Sequence, residues 1–300
     1  MSQTDQWSVT TGAAVLSKFF NTVYHPQPLA LRLADARAFK EPAGLPDSVD
    51  WTNVNGENFD SPVWDQASCG SCFAFASKSL MESRFRVMTN NRDQPIFSVQ
   101  EMISCGAHEE YNQACSGGFG YLVGGKEMEE RGFVEESCGE EFTYAPSYGA
   151  LTCPDTSGCT KWYGTDYSYV GGYYGGATIE MMMEELAMNG PLNVGIYCPS
   201  DFHDYAGGVY IRGPDVQSEW NPLVPTNHAV VVVGYGRCPS GITEGDGSGC
   251  NVGQDNLPYW KVKNSWGASW GENGYVKVLR GVDEIAIESK PFAAMPVGQF

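Results

Sequence analysis

Histidine is scarce in this chain, and so is positive charge. Four histidines stand among 300 residues, and 18 lysines and arginines face 36 aspartates and glutamates. The formal charge of −18 argues against a nucleic-acid or anionic-membrane partner, because both require a basic face. It suits a protein working in acid, where protonated carboxylates relieve self-repulsion. No apolar run approaches the ~18–20 residues of a membrane-spanning helix, so no membrane partner is expected. The sequence has no Asn-x-Ser/Thr sequon, no internal repeat and no low-complexity run. Residues 1–20 offer no secretory signal: their longest apolar stretch is Ala13 to Leu16, with Asp5 ahead of it.

Apolar residues make up 42%, enough for a real core and too many for a disordered chain. The 36 glycines and 17 prolines point to a loop-rich fold. Ten cysteines in such a chain suggest an oxidising compartment and disulfides, so the natural chain is expected to extend upstream of residue 1. Residues 1–44 hold no cysteine and carry a helical pattern from Ala30 to Lys40. They end in Glu41-Pro42-Ala43-Gly44-Leu45-Pro46, which reads as a linker. A compact body follows from Leu45. Helices are expected at Cys72–Thr89, with Ser71 as cap, and at Ser98–Cys105, Tyr121–Arg131 and Ile179–Met188. Strands are expected at Leu192–Tyr197, Ala229–Tyr235, Tyr259–Lys263 and Gly274–Leu279. Helices first and strands second is the α+β pattern, with two lobes around a cleft. The polar segment Gly236 to Asn256 reads as a surface loop stapled by Cys238–Cys250.

The richest stretch is Gln66-Ala67-Ser68-Cys69-Gly70-Ser71-Cys72-Phe73-Ala74-Phe75. Cys69-x-x-Cys72 could be a redox dithiol, which needs a preceding strand in a βαβ unit; Pro62 to Gln66 is not clearly one. A zinc site lacks a second Cys-x-x-Cys or a His pair, so no metal is expected. The other reading makes Cys72 a nucleophile at a helix mouth, where the macrodipole and free N–H groups favour thiolate. Gln66 and the Cys72 N–H would then hold an oxyanion. For the base, His25, His108 and His203 read as solvated surface residues. His228 heads an apolar strand. Lys263-Asn264-Ser265-Trp266-Gly267 offers an amide to fix its tautomer and an indole to shield that bond.

Gln66, Cys-Gly-Ser-Cys72-Phe-Ala-Phe, Asn-His228-Ala-Val and Lys-Asn264-Ser-Trp266-Gly resemble the active-site motifs of the papain family of cysteine peptidases, one of which is a known signature for the nucleophile. The resemblance is strongest to the cathepsin C type, in Gly117-Gly118-Phe119-Gly120-Tyr121-Leu122, Tyr169 to Gly176 and Asp283 to Ser289. It implies a papain-like two-lobe α+β fold over residues 45–300, with a helical N-terminal lobe and an antiparallel, barrel-like β C-terminal lobe. It implies peptide or protein substrates, no required cofactor, and catalysis by Cys72, His228, Asn264 and Gln66. It also implies disulfides Cys69–Cys115, Cys105–Cys153 and Cys138–Cys159. Cys198 is then left as a spare thiol, read as a small buried hydrophobe. A lysosomal or other acidic endomembrane location, or secretion, is expected.

Gly118, Phe119, Gly120 and Ala229 match substrate-pocket positions, and Trp266 flanks them. Lys290 departs from the family, standing where an apolar residue lies deep in the pocket. It either binds an acidic residue second before the scissile bond (P2) or snorkels to solvent. Tyr121, Tyr169 and the Phe119 backbone match a chloride site; they could equally be core aromatics with satisfied hydroxyls. Cathepsin C-type enzymes remove dipeptides because an N-terminal exclusion domain blocks the cleft. Residues 1–44 are too short for that domain and are expected to be a propeptide-like remnant and linker. An open cleft would allow endopeptidase cleavage; a domain supplied from outside would restore strict dipeptidyl action. Oligomeric state is not readable here.

Overall fold

The computed structural model describes residues 28–138, 152–213 and 226–299. Helix α1 (Leu29–Ala38) precedes a short strand β1 (Val49–Asp50). Helix α2 (Cys72–Met88) then runs through the middle of the molecule, with every residue from Phe73 to Arg86 buried. A helix buried all round cannot be polar on one side, so its charges are paired internally. Lys78 meets Glu82, Arg84 meets Glu185, and the Ser83 hydroxyl donates to Asp60. Helix α3 (Val99–His108) is capped by Ser98, whose hydroxyl accepts from the Glu101 N–H.

Residues expected as a third α-helix of the body wind instead as a π-helix over Tyr121–Glu127, followed by one α turn, Met128–Glu130. Close packing accompanies the change. A Cβ at Gly125 would lie 2.6 Å from the Tyr167 ring, and one at Gly124 would lie 3.0 Å from Ser77. A π bulge widens the backbone, and here it accompanies a close approach on two sides.

Short strand β2 (Phe133–Val134) and long strand β3 (Lys161–Tyr169) follow. Helix α4 (Ile179–Asn189), capped by Thr178, leads into β4 (Leu192–Ile196) and β5 (Val209–Tyr210). Then come β6 (His228–Arg237), β7 (Pro258–Lys263), β8 (Tyr275–Leu279) and β9 (Phe292–Gln299). The sheet order is β2-β3-β9-β4-β6-β7-β8-β5, with β1 added to β6. Every pairing is antiparallel except β5 with β8.

Two principal cores define the lobes. One gathers Phe73, Phe75, Leu80, Phe85, Phe97 and Phe133 around α2 and α3. The other gathers Met182, Leu186, Val194, Val230, Trp260 and Val276 between α4 and the sheet. Four disulfides close the fold: Cys69–Cys115, Cys105–Cys153, Cys138–Cys159 and Cys238–Cys250. Cys72 and Cys198 are free.

Residues 1–27 lie outside the described residues, and with them His25. The described part of the leading segment packs on the second lobe. Arg32 pairs with the buried Glu284, and Ala36 joins Val209, Leu257 and Leu279 in a small third cluster. Glu41 accepts from both Arg280 and Arg237, and these cations hold its carboxyl below the ordinary range against the opposing effect of burial.

Candidate active site

Cys72 is the first residue of α2. Ser71, expected as the cap, makes no capping bond; its hydroxyl turns to the Cys69 carbonyl instead. The Cys72 and Phe73 N–H groups therefore stay available, while the Ala74 N–H donates to the Ser71 carbonyl. The N–H groups of Ala229, Phe73 and Cys72 itself bear on the thiol. Ala229 directly follows His228, so the strand that opens with His228 reaches the thiol.

His228 opens β6 and is buried. Its Nε2 donates to Asn264 Oδ1 at 2.8 Å, which leaves Nδ1 for proton exchange. Trp266 stacks on the His228 ring at 5.0 Å and screens that bond from water. Burial lowers the His228 pKa to about 4, opposed by the Asn264 bond. Burial likewise pushes the Cys72 thiol up, opposed by the backbone amides. Both shifts disfavour a lone buried charge. Moving the proton from sulfur to ring creates two opposite charges side by side, which offset each other's desolvation.

Gln66 reaches the site by a short pairing of chain segments. Its N–H donates to the Ser265 carbonyl, and Asp65 bridges to Trp266. The side chain is clamped at both ends: Nε2 donates to the Cys69 carbonyl at 2.9 Å, and Oε1 accepts from the Ser265 hydroxyl at 2.6 Å. A primary amide has two N–H bonds, so one remains for an oxyanion. The Ser265 clamp was not foreseen from the sequence; its adjacency to Asn264 is the signal that could have suggested it.

The two sides of the site are tied together under the surface. Lys263, just before Asn264, reaches Asp60 at 3.2 Å and the Ser61 carbonyl at 2.6 Å, all buried. Asp60 also accepts from Ser83 of α2. One buried carboxylate thus joins the helix that carries Cys72 to the strand that delivers Asn264.

Along the cleft, Gly118 lies flat on the Phe73 ring, where a Cβ would come within 2.8 Å. Phe119 beside it is 73% exposed, and Gly120 abuts Asn193. Tyr121 and Tyr169 stack with ring centroids 4.6 Å apart. Neither hydroxyl has a hydrogen-bond partner among the described residues. Tyr174 packs edge-on against Tyr169, and the Lys290 ammonium sits 5.0 Å over the Tyr174 ring. Cys198 is half-buried against the second core, and burial pushes its thiol up to about 12. Because Cys69 is bonded to Cys115, Cys69 and Cys72 form no dithiol pair, and the redox reading fails. No cluster of His, Cys, Asp or Glu among the described residues could hold a metal.

The sequence profile described as papain family cysteine protease matches residues 45–295. The chain belongs to the papain family of cysteine proteases. It is 39% identical over 252 residues to cathepsin C of Schistosoma mansoni, covering 82% of this chain and 50% of that protein. The chain thus spans about half the length of that relative. It is 31% identical to cathepsin B-like CP2 of Giardia intestinalis over 85% of this chain and 76% of that protein. Rat cathepsin S is 31% identical over 79% of this chain and 61% of its own. Among solved structures, bromelain from Ananas comosus in complex with the E64 inhibitor shares the fold, with a TM-score of 0.61 and 24% identity. That match covers 84% of this chain and 99% of bromelain.

Proposed function

We propose that this chain hydrolyses peptide bonds through a thioester on Cys72. The observation that carries the reading is the joint geometry: a free thiol on uncapped helix N–H groups, an imidazole fixed by Asn264, and a Gln66 amide held at both ends. His228 takes the Cys72 proton, and the sulfur forms a bond to the substrate carbonyl carbon. The oxyanion is received by the second Gln66 N–H and the Cys72 N–H. On collapse the C–N bond breaks and His228 gives its proton to the leaving nitrogen. Water, deprotonated by His228, then attacks the thioester, releasing the acid and restoring the thiolate.

Residues 45–300 form the peptidase domain in this reading, and residues 1–44 a propeptide-like remnant and linker. Gly118, Phe119, Gly120, Ala229, Trp266 and Lys290 contact substrate. Tyr121, Tyr169 and the Phe119 backbone would receive a chloride ion, for which tyrosine hydroxyls and a backbone N–H are suitable donors. Four disulfides and the acid-rich composition support an acidic endomembrane compartment or secretion. No helix of the described residues is long and apolar enough to cross a membrane.

Likeness to cathepsin C favours a second reading, dipeptide removal from free N-termini. Substrate profiling with free and N-blocked peptides separates the two. Cleavage of N-blocked peptides establishes endopeptidase action, and restriction to free N-termini establishes the dipeptidyl mode. Absence of both, with no labelling of Cys72 by an epoxysuccinyl inhibitor, would overturn the peptidase reading.

A further inference from the structure

His203 belongs to a short 3-10 turn, Ser200–Asp204, on the second lobe. In the sequence it reads as a surface histidine. In the fold its ring lies flat on Trp266, centroids 4.6 Å apart and planes 8° from parallel. Trp266 also stacks on His228 and meets Phe202 and Trp270 edge-on. Four rings are therefore packed around one indole, with the exposed His203 at the solvent end of the set. Its backbone is pinned as well, since the Trp270 indole N–H donates to the His203 carbonyl at 3.0 Å. The ring is exposed, and among the described residues neither of its nitrogens has a hydrogen-bond or ion-pair partner.

The charges around it are few. Asp201, on its own turn, is committed to the Tyr210 hydroxyl and the Gly213 N–H. Asp204, next in sequence, lies beyond ion-pair distance. The loop packed against His203 brings Glu272, which Lys277 holds. His228 is present across the indole. In a chain of net charge −18, a held, unpaired imidazole beside the catalytic base offers a rare place for an anion.

We propose that His203 is a specificity-determining residue for the leaving half of the substrate, where it receives a carboxylate. That carboxylate is either an acidic side chain at the first or second residue after the scissile bond or the substrate's own C-terminus. The assignment rests on the cysteine-peptidase reading above. There the leaving nitrogen must come to His228, while the acyl half lies along Gly118–Gly120. Two ring intervals from His228 correspond to the reach of roughly two to three extended residues. Trp266 supplies an apolar floor for that stretch, and the His203 ring supplies an N–H donor for a carboxylate oxygen.

The test uses peptides identical in the acyl half. One set carries Glu or Gln at the first or second position after the cut. Another set ends in a free carboxylate or an amide, so the two sources are separated. The protein as it stands should favour the carboxylate in kcat/KM by about threefold to fivefold, the size of an exposed contact to a charged group. The preference should vanish in His203→Phe, which keeps a ring on Trp266 without the N–H donor. Because each ratio is taken within one enzyme, partial loss of folded protein cancels. Ratios near one in the unmodified enzyme, or a preference that survives in His203→Phe, would overturn the proposal. An aminocoumarin substrate, whose leaving group has no carboxylate, separates the failures. If it is turned over while the ratios are flat, His203 alone is refuted; if it is not, the peptidase reading falls first.

Discussion

Asp60 lies fully buried between the two lobes, where its carboxylate accepts from Ser83, Lys263 and Tyr275. Replacing it by asparagine keeps the shape and removes the charge. Lys263 would then be left in the interior, where burial already lowers its ammonium pKa and Asp60 is the chief group opposing that. Breaking a buried ion pair from one side costs about 3–5 kcal/mol, because the remaining charge is uncompensated. For a domain of this size that corresponds to a fall in Tm of roughly 6–20 °C. Activity should fall as well, since Lys263 precedes Asn264 and its anchor sets where the His228 partner stands. Calorimetry and kcat/KM on one peptide substrate measure both effects. The double variant Asp60→Asn with Lys263→Met should recover much of the lost stability, because the orphaned charge goes with the lysine. A single Asp60→Asn variant within about 1 kcal/mol of the parent would refute the reasoning, as it would mean that Lys263 carries no burial cost at this site.

Two further outcomes are expected. Burial raises the Glu288 carboxyl to about 7, and raises Glu127, Glu101 and Asp283 as well. Such groups hold in the folded state a proton that the unfolded chain has released, so their stabilisation is complete in acid and is lost as pH rises through the folded pKa. His228, held at about 4, acts oppositely but only below its unfolded value of about 6.5. Denaturant unfolding with Cys72 blocked should therefore show stability falling from about pH 6.5 to 8, by at most about 1.4 kcal/mol per pH unit for each group; a flat or rising profile contradicts this. At the cleft, Lys290 should favour Glu over Leu at P2, and Lys290→Ile should reverse the order. Equal rates, or a Leu preference in the parent, would show that the ammonium merely rests on Tyr174.

Local patterns were readable where the structure is local. α2, α3 and α4 lie within a few residues of their expected positions because apolar spacing and caps act over one or two turns. Strands β4, β6, β7 and β8 were visible as apolar runs bounded by glycine. β3 and β9 were not. Asp166 sits at φ 51° inside β3, and the register with β9 shifts there, so the alternation that marks a strand is broken. Pro296 and Gly298 give β9 the look of a chain end. The π-helical turn was equally hidden, since its close neighbours Ser77 and Tyr167 are remote in sequence.

The sequence by itself determined the chemistry of the site: a thiol at a helix mouth, an imidazole at a strand head, an asparagine before a tryptophan, and the order in which they occur. Those features follow from residue type and short spacing. Only the tertiary structure decided what each is held by. Ser265 on Gln66, Asp60 on Lys263, and the indole shared by His228 and His203 are contacts between distant segments, made when two separately packed cores close on one another. A histidine that looks solvated along the chain is thereby placed one indole away from His228. Its position depends on where the sheet and the loops carry Trp266, which no local pattern around residue 203 encodes.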